Sequence, residues 1–295
     1  MKKISLLLGQ VLMTGLAIVG CQKTNKPVSG NNNDNNDDTD TGDEVEIVID
    51  GDFSDWDAFT ATSEDGTVYV DKDIAKEYDA LKILKVTSDD GYVYVYTEIA
   101  SDKIYTDSGI GRGDSYEGTG GKNPAPGPLW IYLDVDNNPE TGFLPHGVKE
   151  LDDFMFTEIG CEHALQLYLI RPTETGIVDM SWCQTNQFVS GAENGSSIDD
   201  AYGWPKDDPN GKDGYGWNHE NDNRHVTYDN FAAGAAGAVT PIEFAISRDT
   251  ITADYPDAGG SFRIGVAYQG GNAEGAWVWT GRIPSSGKPF VLTLK

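Results

Sequence analysis

Leu81-Lys82-Ile83-Leu84-Lys85-Val86-Thr87-Ser88-Asp89-Asp90-Gly91-Tyr92-Val93-Tyr94-Val95-Tyr96-Thr97-Glu98-Ile99 holds two runs of aliphatic, β-branched and aromatic residues joined by a short polar turn. A two-residue period puts Tyr92, Tyr94 and Tyr96 on one face of the second run and Val93 and Val95 on the other. The Ser88-Asp89-Asp90-Gly91 step offers side-chain acceptors and a glycine able to take positive φ, so the stretch predicts a β-hairpin. Similar runs recur on both sides, at 46–49, 129–135, 154–159, 164–171, 177–182, 242–247, 262–268, 276–280 and 290–294, separated by Gly, Asn, Asp and Pro. No stretch sustains a helical period, and only 73–79 suits a short helix. About a dozen short strands over some 250 residues predict an all-β fold, an antiparallel, jelly-roll-like β-sandwich with long loops. The longest irregular stretches are 108–128 and 191–223, and loops of that length are functional or disordered.

The chain before the first strand reads as an address. Lys2 and Lys3 precede an apolar stretch from Ile4 to Val19 that ends Ile18-Val19-Gly20-Cys21. That stretch is too short for a membrane span and suits a secretory signal. The Gly-Cys step makes residues 1–20 look like a bacterial lipoprotein signal, which is removed to leave Cys21 lipidated. Residues 21–44 are Asn- and Asp-rich and, past the Cys, hold no large apolar residue beyond Val28. They cannot offset their own ordering entropy, and as a tether of some twenty residues would span roughly 25 Å. The expected organisation is therefore a signal (1–20), an acidic tether (21–44) and a folded body (45–295). The tether resembles the acidic stretch that accompanies outward transport in some Bacteroidetes lipoproteins, which implies an outer-membrane anchor and a cell-surface location.

Charge narrows the partners. The 295 residues carry 21 Lys and Arg against 48 Asp and Glu, a formal charge of -27. Phosphate recognition needs clustered cations, so nucleic acid is excluded, as is adsorption to anionic lipid through a basic patch. The only membrane contact expected is the lipid anchor. Residues 1–44 contain four Lys and six Asp or Glu, so almost all the excess lies on the body. It serves either as a solvated, repulsive surface or as acidic clusters that hold divalent cations.

The best constellation is Trp130-Ile131-Tyr132-Leu133-Asp134-Val135-Asp136-Asn137-Asn138-Pro139-Glu140-Thr141-Gly142. Leu129, Ile131, Leu133 and Val135 alternate inward, leaving Asp134 and Asp136 on the other face where the strand enters a turn. Two carboxylates at i and i+2, then Asn138 and backbone carbonyls, are the hard oxygen ligands calcium prefers. The alternative is an Asp/Asn turn closed by its own hydrogen bonds. A second run, Asp50-Gly51-Asp52-Phe53-Ser54-Asp55-Trp56, reads as a turn that tucks Trp56 under the sandwich. Asp207 to Gly214 also has calcium-like acids, but Lys212 interrupts the spacing.

Cys161 and Cys183 flank a hairpin turning at 172–176. A bridge between them is compatible with an extracytoplasmic location, but a slip of one residue would point them to opposite faces.

These motifs carry a family resemblance. Ile49-Asp50-Gly51 with Asp55-Trp56, then Tyr92-Val93-Tyr94-Val95, then Leu133-Asp134-Val135-Asp136 with Thr141-Gly142, then Ile242-Glu243-Phe244-Ala245-Ile246, resemble the ordered landmarks of family 9 carbohydrate-binding modules and related DOMON-like sandwiches. The resemblance spans roughly 45–295 and implies a calcium-bearing sandwich with the metal at the Asp134/Asp136 turn. Family 9 modules clamp a sugar between two Trp side chains; the two positions are not both matched here by motif. DOMON relatives include haem binders, for which Met155, Met180 or a His would serve as axial ligand.

The 191–223 insertion holds Tyr202, Trp204, Tyr215, Trp217 and His219 among Asp, Asn and Lys. Aromatic faces suit the C–H surfaces of a pyranose, and amides and carboxylates suit its hydroxyls. The alternative is that these aromatics pin a long loop to the sandwich. Trp277 and Trp279 read as packing residues, Arg112-Gly113-Asp114 as a chance adhesion tripeptide, and His146, His163, His219 and His225 show no zinc spacing. Paired acids for glycoside hydrolysis cannot be picked out among so many, and no nucleophile elbow occurs. The expectation is a non-catalytic surface lipoprotein that binds a polysaccharide or oligosaccharide through Tyr202, Trp204, Tyr215 and Trp217, alongside glycan-uptake partner proteins. The alternatives are a structural or adhesive lipoprotein and a glycan-active enzyme.

Overall fold

β1 (Val68–Asp71) precedes the hairpin of β2 (Leu81–Ser88) and β3 (Tyr92–Ala100) in a computed structural model of the chain. The structure describes residues 45–104, 127–145, 156–172, 175–190, 196–197, 204–205, 215–220, 223–271 and 277–295, which belong to one unit, Val45–Lys295. The signal, the tether with Cys21, Tyr202, His146, Met155, Arg112-Gly113-Asp114 and all of 207–214 lie outside the described residues. The next strands are β4 (Gly127–Asp134), β5 (Phe143–Leu144), β6 (His163–Ile170) and β7 (Asp179–Ser190). Then come β8 (Ser196–Ser197), β9 (Trp204–Pro205), β10 (Tyr215–Glu220), β11 (Phe231–Ala233) and β12 (Val239–Ser247). Helix α1 (Arg248–Asp254), β13 (Ser261–Gly271), β14 (Trp277–Ile283) and β15 (Phe290–Thr293) complete the order.

Two antiparallel sheets make the expected β-sandwich. One runs β1-β2-β3-β12-β11; the other runs β14-β13-β4-β6-β7-β10-β8, with β15 also paired to β13. In the second sheet β13 returns beside β4, the first of three successive strands, which is Greek-key order. The inward faces supply Leu84, Val86, Val93, Val95 and Phe244 from one sheet and Leu129, Ile131, Leu133, Leu165 and Val266 from the other, in one buried cluster. The hairpin forms as expected, with Val86 opposite Val95. Its turn is closed differently. Gly91 does not take positive φ; the Asp89 carboxylate accepts from the Gly91 and Tyr92 amides, each at 2.8 Å, and from the Tyr94 hydroxyl at 2.7 Å.

Two apolar runs expected to be strands are covers instead. Residues 46–49 form no strand: Ile47 joins Trp56 and Tyr96 in a buried cluster with Ile83 and Tyr94 on the outer face of the first sheet. Trp56 is tucked under, as expected, at the end of a turn whose first amide, that of Ser54, is capped by Asp52. In the 154–159 run, the described residues 156–159 are not a strand either. Phe156, Ile159 and Cys161 lie with Trp130, Tyr132 and Ala267 on the outer face of the second sheet. A strand and a strand's lid need the same apolar residues, so composition alone does not separate them.

Within the insertion, β10 adds a six-residue strand to the second sheet, where a loop was expected. The 73–79 stretch makes only a 3-10 turn, Lys76–Tyr78. Helix α1 was missed because seven residues show no period; it starts at Ser247, whose hydroxyl accepts from the Thr250 amide. No helix among the described residues is long and apolar enough to cross a membrane.

Cys161 and Cys183 are not bridged. Cys183 pairs with Leu167 and belongs to the inner core, whereas Cys161 lies six residues before Leu167 and belongs to the outer cluster. The disulfide expectation is therefore corrected. The sheet itself stands between the two sulfurs, and the Cys161 thiol donates to the His163 carbonyl at 2.8 Å.

Candidate metal centre

β4 ends at Asp134, which alternation puts opposite the inward Leu133 and Val135. The chain then turns through 136–142. Asp134 Oδ1 accepts from the Asn138 amide at 2.9 Å and Oδ2 from the Gly160 amide at 3.1 Å. Asp136 Oδ1 accepts from the Asn138 amide at 2.8 Å, and its carboxylate takes the Thr141 hydroxyl. Asn137 carries the turn at φ 54°, a conformation Asn tolerates. The turn is thus closed by its own hydrogen bonds, and that closure leaves the two carboxylates on one side. Asn138 departs from expectation: its side-chain oxygen accepts from the Glu140 amide at 3.1 Å, turned along its own loop.

A third carboxylate, Glu162, comes from a distant part of the chain. Its amide donates to the Leu133 carbonyl at 3.0 Å, and its Oε2 accepts from the Val135 amide at 2.9 Å. One oxygen each from Asp134, Asp136 and Glu162 lies within 4.8 Å of the others. Asp134 and Glu162 are buried, and Glu162 Oε1 has no hydrogen-bond partner among the described residues. The cluster borders a cavity of about 180 Å³ lined by Asp136, Thr141, Gly142, Glu162, Tyr255 and Asp257, among others.

Two glycines permit this approach. Gly142 sits at φ 63°, and a Cβ there would lie 2.6 Å from Glu162 Oε1. A Cβ on Gly160 would lie 2.0 Å from the Thr141 carbonyl oxygen. Only bare backbone lets the 160–162 segment press against the turn.

The electrostatics are those of an incomplete site. Burial, with Asp136 alongside, pushes the Asp134 carboxyl up to about 7. Burial, then Asp136 and Asp134, push Glu162 up to about 9. Arg263 supplies one guanidinium, its Nε 3.7 Å from Asp134 Oδ2, against three carboxylates. All-oxygen donors, a buried carboxylate oxygen with unused acceptor capacity and excess negative charge fit a hard divalent cation. Glu162 could not be read from the sequence, because it joins the site through the pairing of Leu133 with His163 and its own hydrogen bonds to Leu133 and Val135.

No family model matches the chain, and no curated protein does.

The other site expectations are placed only by their backbone. Trp204, in β9, pairs with Leu144 of β5, two residues beyond Gly142. Tyr215 and Trp217, in β10, stand opposite Ser190 and Phe188 of β7, and Trp217 also opposite Ser196 of β8. Their side chains lie outside the described set. Trp279 packs as expected, its ring 5.9 Å from Trp130. Met180 is buried in the main core.

Proposed function

We propose that the chain is a non-catalytic, lipid-anchored outer-membrane protein that binds a polysaccharide or oligosaccharide at the cell surface, on a sandwich stabilised by calcium. The observation that carries this reading is the pairing of Leu144 with Trp204. A calcium ion held by Asp134, Asp136 and Glu162 would fix the 136–142 turn, from which β5 leaves directly. β5 pairs with β9, so the cation and an aromatic of the insertion share one stretch of backbone. The ordered landmarks resembling family 9 carbohydrate-binding modules support the same assignment. The Gly20-Cys21 signal and Asp-rich tether support the surface location, where glycan-uptake proteins would be neighbours.

The test is tryptophan fluorescence of the full chain, with calcium present, against a panel of plant, host and microbial oligosaccharides. A saturable response to one sugar class is expected, lost in Trp204→Ala and Trp217→Ala without a fall in Tm. Lowered Tm with sugar binding retained would assign these aromatics to packing. A flat response from the folded chain would favour a structural or adhesive lipoprotein.

A further inference from the structure

Beside the acidic pocket, the fold joins three groups that chain spacing did not connect. His163 opens β6, His225 precedes β11, and Asp254 ends α1. One ring nitrogen from each histidine and one Asp254 oxygen lie within 4.8 Å of one another. Both rings are fully buried and meet edge to face with centroids 5.0 Å apart. Tyr255 closes the far side of His163, edge-on at 4.9 Å.

The Thr250 oxygen stands 2.6 Å from His225 Nδ1, and His225 Nε2 stands 3.3 Å from Asp254 Oδ2. A proton on Nε2 or a metal ion can bridge that gap. His163 decides between the two. Both of its ring nitrogens are buried with no hydrogen-bond partner among the described residues, a costly state for a polar group. A proton shared by His225 and Asp254 leaves both His163 nitrogens without a partner, whereas a metal ion engages one nitrogen of each ring and the Asp254 carboxylate.

We propose that His163, His225 and Asp254 form a second metal site, for zinc or a neighbouring transition metal, with the fourth position filled by water. The 3.3 Å between Nε2 and Oδ2 matches the ligand–ligand edge of a tetrahedron with bonds of about 2.0 Å, near 3.3 Å. Two imidazoles favour such ions over calcium or magnesium, which separates this site from the all-oxygen pocket. Arg224 grips both Asp254 oxygens, at 3.1 Å each, and Thr250 holds the His225 ring, as outer partners do around ligated metals. An ion here ties β6 to α1.

The experiment uses the full chain, stripped of metal and free of any polyhistidine tag, titrated with Co2+ and then Zn2+ in excess calcium. One equivalent of Co2+ is expected per chain, with the visible bands of a four-coordinate ion, displaced by Zn2+. His163→Gln and His225→Gln should each weaken binding at least about tenfold, and Thr250→Val about 10- to 100-fold. No uptake by the folded chain, uptake abolished by calcium, or affinity unchanged in both histidine variants overturns the site. Should those variants fail to fold, Thr250→Val decides: unchanged affinity there also overturns it.

Discussion

Glu243 and Glu162 are both buried glutamates beside a sheet, and they could hardly be more differently served. Glu243 takes the Trp56 indole N–H at 2.9 Å and the amides of Gly51 and Asp50 at 2.8 and 3.1 Å. Burial raises its pKa, and these three donors pull it back. Glu162 takes one amide on Oε2 and nothing on Oε1, with two more carboxylates within 4.8 Å. Burial of an acid therefore does not by itself mark a site. Where the chain supplies the donors, the acid is a latch that holds the 47–56 segment over the first sheet. Where acceptors are left over beside like charges, the chain leaves negative charge and acceptor capacity that a bound cation would balance.

The comparison breaks most visibly at the latch. Trp56→Ala removes a fully buried indole and strips a donor from Glu243, and should cost about 3–5 kcal/mol in urea unfolding. A loss below about 1 kcal/mol would mean the segment is not latched. The acidic pocket predicts a pH effect on the order of a few kcal/mol. Its carboxyls start near 3.8 and 4.5 in the unfolded chain and rise to about 7 and about 9 on folding. The folded state thus keeps protons that the unfolded chain has lost. The pocket's contribution to metal-free stability should be greatest below about pH 4 and fall as pH rises through those folded values. Tm scans from pH 4 to 9 in chelator test the sign, and saturating calcium should flatten the slope.

Calcium at a hundred times its Kd should add about 2.7 kcal/mol to the wild-type chain. It should add nothing to Glu162→Gln, whose metal-free form is no less stable than wild type because repulsion is relieved. A full calcium effect retained in that variant would remove Glu162 from the site. Gly142→Ala should cost more than about 1 kcal/mol and weaken calcium binding, since it strains a positive φ and crowds Glu162 Oε1. The smallest effect concerns the cysteines: a reductant should leave Tm unchanged, and a fall of several degrees would show that Cys161 and Cys183 are bridged after all.

The sandwich was legible where alternation is clean. The 81–99 hairpin and the strands around 131, 165, 244 and 264 formed where the two-residue period put them. Legibility failed where an apolar run serves a face rather than a ladder, as at 46–49 and 156–159. It also failed where an element is too brief for a period to appear, as in α1 or β5. Half of the acidic site was legible because Asp134 and Asp136 are local to one turn. Glu162 was not, and neither was the meeting of His163 with His225 and Asp254, which no ligand spacing announces.

Periodicity, turn residues and charge are properties of neighbours along the chain, so the sequence by itself determined the fold class, the inward face of each main strand and the acidic turn after β4. Which carboxylate completes that turn, which histidines meet, and which side of a sheet each cysteine occupies were decided only by strand register. Register is a long-range property: a shift of one residue exchanges every face while leaving the local pattern intact.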